Sequence, residues 1–478
     1  MRVPRRLMSL ALVVLVLGVG AASAAGAPPG SIEAFIDRAM SASGVPGLAY
    51  AVVADGDVTS AGARGVVELG GDTAVTPDTP FVIGSISKSI TALAVMQLVE
   101  AGKVDLDTTL SQVLDGFSGR PAGAITIRQL LSHTSGFSTQ QGNARHPEAT
   151  GNLDDLARVV DRLAAVTPAY EPDETWDYSN ANYQILGRVI EVVGGQAYQT
   201  YVATHILEPV GMIHSFVADG KAHASMATGH RPWFGTKRPI SDATTDRATA
   251  PQGGIVASAS DLARYLAMMM NGEDDVLSAE GKALMMRPAS AGSPNYGFGW
   301  NLDVGAGVVW HDGVSPGVET LATMLPAQKK AVVVLVNAGS GMGFGETGPL
   351  RVGIADRALG LGYASDGNGW PRRALFVFLV VLPVVYVLGM IKVWVDRAKV
   401  RATSGALGAF SLWFPLLTTS VAAWVFIGLV PSLFGTSIRS LMVFTPDLGL
   451  ALVASGVGGV LLTGFRLAVA YTGRARRA

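Results

Sequence analysis

Three long apolar segments close the chain and limit what its C-terminal part can fold into. Residues 374–391 and 405–430 carry no charged side chain, and residues 448–470 carry only Arg466 near their end. As helices, segments of this length cross a hydrocarbon layer about 30 Å thick. The sequence therefore predicts a transmembrane region over residues 374–478 with three spans. For the middle segment, the alternative is a pair of helices buried in a soluble fold.

Basic residues predict how this region is oriented. One cluster follows the first apolar segment and another follows the third. Because basic residues are enriched in cytoplasmic loops, both clusters are expected on the cytoplasmic side of the membrane, the second at the C-terminus. The clusters consist of Lys392, Arg397, Lys399 and Arg401, and of Arg474, Arg476 and Arg477.

The N-terminus predicts export. A basic start is followed by an apolar stretch over residues 7–19 and by the small residues Ala22-Ser23-Ala24. This is the pattern of a signal peptide, predicted here over residues 1–24, and an uncleaved anchor helix is the alternative. If the N-terminal part is exported, three membrane crossings place the C-terminus in the cytoplasm, which is the topology that the basic clusters also predict. We therefore expect a protein of the bacterial plasma membrane with residues 31–363 outside the cytoplasm.

Residues 31–363 have the pattern of one α/β domain of the α+β type. Strand patterns at both ends surround a helical middle, so we expect one antiparallel sheet built from both ends, flanked by terminal helices and carrying a helical insertion. Residues 364–373 are predicted to be a linker. The predicted strands cover residues 47–54, a hairpin partner from Val58 onward, and residues 297–303, 307–311, 319–325 and 331–337. The predicted helices cover residues 32–40 after the N-cap Ser31, and residues 91–101, 183–193, 259–270 and 346–359.

Charge and composition exclude several classes of function. The formal net charge is −1 and the chain has no long run of like charge, so the sequence does not indicate a surface that binds nucleic acid. The chain has no cysteine, which excludes disulfides, a thiol nucleophile and thiolate-bound zinc. The seven histidines show no metal-site spacing, and no glycine-rich phosphate loop follows a strand. We therefore expect no metal and no other cofactor. The expected substrate is a small molecule or a peptide, and the sequence does not indicate the oligomeric state.

The segment Ser85-Ile86-Ser87-Lys88 offers an activated nucleophile. It follows an apolar extended segment and opens a helix that we expect to be amphipathic, so Ser85 and Lys88 lie within one turn of each other. A neutral lysine can take the proton that a serine must lose before it attacks a carbonyl. The alternative is a helix N-cap serine beside a solvated lysine.

Two further segments supply candidate partners. Tyr178-Ser179-Asn180 brings a phenol, whose phenolate becomes accessible beside a lysine cation, and an amide that orients a substrate or Lys88. The segment His311-Asp312-Gly313 follows the apolar residues 308–310 and begins at the last residue of the predicted strand 307–311. His311 and Gly313 are the substrate-binding candidates there, since Gly313 lets a substrate approach the backbone, and the N–H groups of Ser85 and Val314 could bind an oxyanion. Taken singly, the alternatives are an anchoring tyrosine, a capping asparagine and a structural histidine.

The set Ser-x-x-Lys, Tyr-x-Asn and His-x-Gly resembles the serine β-lactamase-like family, related to penicillin-binding proteins. The similarity is to its branch of class C β-lactamases, D-amino-acid-releasing peptidases and esterases. Residues 130–136 (LLSHTSG) and 253–262 (GGIVASASDL) are similar to further segments of that family. The resemblance implies that Ser85 attacks a carbonyl, that Lys88 and Tyr178 move the proton and that Asn180 orients the substrate. His133 is expected to be structural, fixing its loop. Tyr296 and Trp310 are expected to pack in the core, and lining of the cleft is the alternative for each.

One departure from the family pattern bears on the substrate. Typical β-lactamases of this group have Lys-Thr-Gly where this chain has His311-Asp312-Gly313. A lysine is a permanent charge for a substrate carboxylate, whereas a histidine is mostly neutral at pH 7. The sequence therefore predicts poor turnover of β-lactams and favours an esterase or aminopeptidase-like activity.

The function expected from sequence is thus a membrane-anchored extracytoplasmic serine hydrolase that acts on an ester or amide bond through an acyl-enzyme. Its pocket is expected to be shaped by residues 138–152 and 220–246. One alternative is a cell-wall D,D-peptidase or β-lactamase. Another is a peptidoglycan- or peptide-binding membrane sensor without turnover, which has no need of an activated serine.

Overall fold

A computed structural model describes residues 31–143, 155–240, 245–362 and 369–472. The predicted signal peptide, part of the predicted linker and the second basic cluster lie outside the described residues, as do parts of segments 138–152 and 220–246. The chain divides into two compact units. One contains residues 31–340 and 345–362, and the other contains residues 341–344 and the helices after residue 369.

The larger unit is built on a six-stranded antiparallel sheet with the strand order β2-β1-β11-β10-β9-β8. The N-terminal hairpin joins the C-terminal strands through β1 and β11, where Tyr50 faces Val334. This confirms the sheet predicted from both chain ends. The strands are β1 Gly47–Ala54, β2 Asp57–Gly65, β3 Phe81–Val82, β4 Phe216–Val217, β5 His230–Trp233, β6 Thr236–Pro239, β7 Ile255–Ala257, β8 Asn301–Asp303, β9 Val308–Ser315, β10 Val318–Leu325 and β11 Lys330–Val336.

The strands differ from the predicted ones in three ways. The prediction that a strand starts at residue 297 is wrong, because Gly297 N–H donates to the Trp300 carbonyl in a turn and β8 begins only afterwards. The prediction that a strand ends at His311 is also wrong, because β9 stays paired with β10 as far as Ser315. Two small sheets, β3-β7-β4 and β5-β6, were not predicted, since strands of two to four residues carry no readable alternation.

Nineteen α-helices are present among the described residues. The predicted N-cap at Ser31 is confirmed, because its hydroxyl accepts a hydrogen bond from the Ala34 N–H at 3.2 Å. The helices are α1 Ile32–Ser43, α2 Ser87–Glu100, α3 Leu110–Val113, α4 Ile127–Leu131, α5 Thr139–Gly142, α6 Asp155–Ala164, α7 Asn180–Gly194, α8 Tyr198–Val202, α9 Glu208–Val210, α10 Ala250–Gly253, α11 Ala259–Met270, α12 Ala279–Met285, α13 Gly348–Leu359, α14 Trp370–Val395, α15 Arg397–Ala402, α16 Gly405–Trp424, α17 Val430–Leu433, α18 Ile438–Phe444 and α19 Pro446–Thr472.

Helix α2 lies at the centre of the larger unit. The expectation that it is amphipathic is wrong, because both its apolar and its polar residues are buried around nearly the whole circumference. A helix buried on all sides needs no polar face. The sheet is covered by α1 and α13 on one face and by α11 on the other. The N-terminal end of α2 is therefore fixed within the main core.

The second unit contains three helical segments that are long and apolar enough to cross a membrane: Trp370–Val395, Gly405–Leu433 and Pro446–Thr472. The middle segment comprises α16, a π-helical turn and α17. Within this unit the Ser455 hydroxyl donates to the Leu379 carbonyl at 2.9 Å. The small residues of α19 thus allow close approach of α14.

Candidate active site

Ser85 lies in a 3₁₀ turn, Gly84–Ile86, between β3 and α2. Gly84 has a φ of +56°, which favours glycine, and a Cβ added there would lie 2.6 Å from Val314 N. The turn therefore needs glycine to lie directly against β9. On its other side the Ser87 hydroxyl accepts a hydrogen bond from the Ile255 N–H at 3.0 Å, which ties the turn to β7.

Lys88 is fully buried and contacts three oxygen atoms. Its Nζ lies 3.1 Å from Ser85 Oγ, 2.8 Å from Asn180 Oδ1 and 2.8 Å from the Gln252 carbonyl oxygen. Asn180 is the first residue of α7, and Gln252 lies in α10. Three separate segments of the chain therefore converge on one amine, as the sequence predicted for Ser85, Lys88 and Asn180.

The surroundings of Lys88 favour its uncharged form. Burial lowers the pKa of Lys88 well below its ordinary value of 10.5, and the Asp312 carboxylate acts in the opposite direction with a smaller effect. A neutral amine has two N–H groups and one lone pair. Because Asn180 Oδ1 and the Gln252 carbonyl can only accept, they take the two N–H groups. The lone pair then faces Ser85, whose hydroxyl can donate its proton to Lys88.

Tyr178 packs beside this amine, with its ring centroid 4.8 Å from Lys88 Nζ. Its hydroxyl is buried and forms no hydrogen bond of normal length with any described residue, although the nearby Ser85 hydroxyl acts to lower its pKa. Burial dominates and raises the pKa of Tyr178 well above its ordinary value of 10. The expected ease of phenolate formation is therefore not supported, and Tyr178 is a neutral phenol that can donate a proton.

His133 holds the segment that carries Tyr178. Its Nδ1 accepts hydrogen bonds from the Ser179 N–H at 3.1 Å and from Asn182 Nδ2 at 2.9 Å, and its ring centroid lies 4.4 Å from that of Tyr178. Burial lowers the pKa of His133 well below 6.5, so the imidazole stays neutral and can accept. The structural role predicted for His133 extends beyond its own loop, since the Tyr178 segment depends on it.

His311 also lies near Tyr178, and its ring centroid is 6.1 Å from that of Tyr178. Its Nδ1 is 2.6 Å from the Asp312 carbonyl oxygen and its Nε2 is 3.3 Å from the Tyr296 hydroxyl. A carbonyl only accepts, so Nδ1 carries the proton and Nε2 accepts from Tyr296. Burial lowers the pKa of His311 to about 4. The imidazole is thus uncharged at neutral pH and supplies no permanent cation.

The backbone of β9 completes the site. Gly313 lies against the residue before the turn, since a Cβ added to it would lie 2.0 Å from the Ile83 carbonyl oxygen. In a hairpin with a two-residue turn the closing pair, here Ser315–Val318, is hydrogen-bonded, and pairs alternate from there. Val314–Glu319 is then a non-hydrogen-bonded pair. The Val314 N–H therefore points away from β10, and Val314 N lies beside Gly84.

Sequence reasoning missed several residues that shape this site. The Gln252 carbonyl immediately precedes the quoted segment 253–262, so its position was a usable signal. Asn143, whose Oδ1 accepts from Asn180 Nδ2 at 2.9 Å, is brought in by tertiary packing alone. Tyr296 is buried, as expected, and its hydroxyl also contacts His311 in the wall of the site. The expectation for Trp310 is confirmed, because its side chain packs in the core between the sheet and α1 and α13.

Comparisons with known proteins match the larger unit of the chain. A family model described as Beta-lactamase matches residues 32–356. Penicillin-binding protein 4 of Amycolatopsis lactamdurans is 34% identical over 325 residues, which cover 63% of this chain and 83% of that protein. Protein flp of Staphylococcus aureus (strain MRSA252) is 26% identical over 323 residues. That match covers 65% of this chain and 63% of Protein flp, so the chain spans less than two thirds of its length.

Among solved structures, the octameric penicillin-binding protein homologue from Pyrococcus abyssi superposes with a TM-score of 0.59 at 27% identity. The superposition covers 70% of this chain and 78% of that one. The family match ends before the three apolar helices, so it concerns the larger unit.

Proposed function

The chain belongs to the beta-lactamase family, and from this premise we propose that it is a membrane-anchored serine hydrolase that cleaves an ester or amide bond through an acyl-enzyme on Ser85. The observation that carries the proposal is the 3.1 Å approach of Lys88 Nζ to Ser85 Oγ. The other two contacts of this amine are to atoms that only accept hydrogen bonds. A buried amine in this setting is a base directed at one hydroxyl.

In the acylation step, Ser85 Oγ attacks the substrate carbonyl carbon while its proton passes to the Lys88 lone pair. The oxyanion that develops is held by the N–H groups of Ser85 and Val314. The Ser85 N–H lies in the first turn of a helical segment, where N–H groups have no acceptor within the helix. Each such donor typically contributes about 3 kcal/mol to the stability of the transition state.

Breakdown of this intermediate requires a proton on the leaving group. We assign this step to Tyr178, because burial keeps its phenol protonated and its hydroxyl is free of normal hydrogen bonds among the described residues. As the carbonyl re-forms and the bond to the leaving group breaks, the phenol proton moves to that group. The Lys88 ammonium then returns a proton to Tyr178. Water attacks the acyl-enzyme in the same way, with Lys88 again accepting the proton.

The remaining site residues hold this arrangement in place. Asn180 orients Lys88, and its amide can also contact a bound substrate. Gly313 allows β9 to lie against the Ser85 turn, and His311 supports the site wall through Tyr296. In this proposal Lys88 and Tyr178 are the side chains that change charge during turnover, and both regain their starting state at the end of each half-reaction.

The charge of the site favours an ester or an aminopeptidase-type amide over a substrate that carries a carboxylate. His311 is neutral where the β-lactamase pattern has a lysine, so no permanent cation is supplied at that position. A cell-wall D,D-peptidase is the second candidate, because the relative of 34% identity is named Penicillin-binding protein 4. A sensor that binds without turnover is a third possibility, and the Ser85–Lys88 contact speaks against it.

We also propose that the three apolar helices anchor the hydrolase with its larger unit outside the cytoplasm and its C-terminus inside. The support is the length and composition of the helices and the basic cluster Lys392 to Arg401 after the first of them. In this topology Arg372, Arg373 and Arg439 lie outside the cytoplasm. Basic residues are therefore more numerous on the cytoplasmic side but are not absent from the other side.

The proposed function is tested by activity profiling of the full-length protein in detergent. Substrates are short-chain p-nitrophenyl esters and D-amino-acid amides. Turnover in the wild type should fall by a factor of about 10⁴ or more in Ser85→Ala. The exposed Ser60 on β2 provides a matched control, and Ser60→Ala should keep wild-type rates. Turnover that survives in Ser85→Ala, or none in correctly folded wild type, would contradict the proposal.

A further inference from the structure

Asp312 is a charged residue at the site that the chemical steps above do not use. It lies between His311 and Gly313 in β9, and its side chain is 46% exposed. Consecutive Cα atoms are about 3.8 Å apart, so Asp312 is one residue from the contact between Gly313 and the Ser85 turn. Its Oδ1 lies 3.9 Å from His311 Nδ1, so the carboxylate lies beside a residue of the candidate site, on a strand that cannot shift without disturbing the Ser85 turn.

Within the described part of the chain, Asp312 has no arginine or lysine as an ion-pair partner. The ion-pair contact that the structure shows for it, within the described part of the chain, is the 3.9 Å approach of Oδ1 to His311 Nδ1. His311 is uncharged at neutral pH, because burial lowers its pKa to about 4. The half-exposed side chain therefore keeps its negative charge available to a bound molecule.

The influence of this charge reaches the catalytic groups. Asp312 raises the pKa of Lys88, of His311 and of Tyr178. For Lys88 and His311 it opposes the larger effect of burial, and for Tyr178 it acts in the same direction as burial. A charge that acts on the buried amine also acts on a substrate held between that amine and β9. It attracts a cationic group and repels a carboxylate.

We propose that Asp312 is a specificity-determining residue that selects substrates with a positively charged ammonium group in the part that acylates Ser85. The inference rests on the proposed function and adds the substrate class to it. The Asp312 carboxylate is the counter-ion of that group, and the neighbouring backbone at Gly313 and Val314 positions the carbonyl. A substrate of this kind is an amino-acid ester or amide with a free amine.

The test uses three p-nitrophenyl esters of equal acyl length that end in a trimethylammonium, a tert-butyl or a carboxylate group. The first two have the same shape and differ in charge. The full-length protein is assayed in micelles of a non-ionic detergent, and the readout is the ratio of kcat/KM for the cationic to the neutral ester. Because both esters use Ser85 and Lys88, any change in the chemical step cancels in this ratio.

The wild type should favour the cationic ester about tenfold. Asp312→Asn, which keeps the shape of the side chain, should bring the ratio close to one. Asp312→Lys should favour the carboxylate ester. The matched control is Asp57→Asn, which removes one exposed carboxylate from β2 and should leave the ratio unchanged.

The inference would be overturned by a wild-type ratio near one, or by the same ratio in Asp312→Asn and in the wild type. In either case, turnover of the neutral ester would still support the proposed function. Absence of turnover of all three esters, together with absence of covalent labelling at Ser85, would overturn the proposed function and this inference with it.

Discussion

Asn180 presents its side-chain oxygen to Lys88 Nζ at 2.8 Å, an acceptor without charge beside a buried amine. The amide is oriented from behind, because its Nδ2 donates to Asn143 Oδ1 at 2.9 Å. A carboxylate in this place would hold Lys88 as an ammonium ion. The choice of an amide therefore helps to keep the lysine available as a base.

The variant Asn180→Asp tests this relationship. An opposite charge at this distance raises the pKa of a lysine by about 1 to 3 units, so a larger fraction of Lys88 is protonated. Because the base must be neutral, kcat/KM at pH 7 should fall about tenfold per unit, and the acidic limb of the pH profile should move to higher pH. The measurement is the pH dependence of kcat/KM for a neutral ester.

A matched control exists at a second buried lysine outside the site. Lys282 Nζ donates to Asn271 Oδ1 at 2.7 Å, so Asn271→Asp makes the same change beside a structural amine. This variant should keep the wild-type pH profile. An acidic limb that stays in place or moves to lower pH in Asn180→Asp would show that Lys88 is not the titrating base.

Burial of His311 predicts a pH-dependent stability. The pKa of His311 is lowered from 6.5 to about 4, so between these values the unfolded chain binds a proton that the folded chain excludes. Stability from this source is complete above pH 6.5 and falls as the pH decreases, by up to about 3 kcal/mol at pH 4. In His311→Gln the free energy of unfolding should depend less steeply on pH in this window.

The measurement is denaturant unfolding of the wild type and of His311→Gln at pH values from 7.5 to 4. The difference between the two proteins should shrink as the pH falls, because only the wild type loses stability through this group. Parallel pH curves would contradict this account, because they would mean that His311 binds a proton as readily in the folded protein as in the unfolded chain.

Close packing of β9 against the Ser85 turn predicts a strong effect of Gly313→Ala. The added methyl carbon would lie 2.0 Å from the Ile83 carbonyl oxygen and 2.2 Å from Thr320 Oγ1, so β9 must move away. The Val314 N–H would move with it, and kcat/KM should fall at least about 100-fold, with KM less affected. Gly348→Ala is the control, because a Cβ at the start of α13 meets no atom within 4 Å.

The uncharged His311 predicts poor turnover of β-lactams. The double variant His311→Lys with Asp312→Thr restores a lysine and removes the neighbouring carboxylate. Acylation by a cephalosporin, followed by stopped-flow absorbance, should be slow in the wild type and at least about tenfold faster in the variant. A wild-type rate near that of resistance β-lactamases would refute this account of the substrate.

The sequence predicted those parts of the site that are encoded locally. Ser85 and Lys88 lie within one turn, Tyr178 and Asn180 lie two residues apart, and such spacings survive folding. The contacts of His133 with the Tyr178 segment and of Tyr296 with His311 join residues distant in the chain, so no spacing reveals them. The state of Tyr178 was expected from a neighbouring charge, whereas burial decides it. The same limit applies to β9, since its extent depends on pairing with β10.

The most direct test of the account is covalent labelling of Ser85 by a fluorophosphonate in the wild type and in Lys88→Met. Peptide mass spectrometry locates the adduct, and its rate of formation is measured at pH 7. We predict one adduct, on Ser85, that forms about 10³ times more slowly without the lysine. An adduct on another serine, or an equal rate in both proteins, would contradict the claim that buried Lys88 activates Ser85.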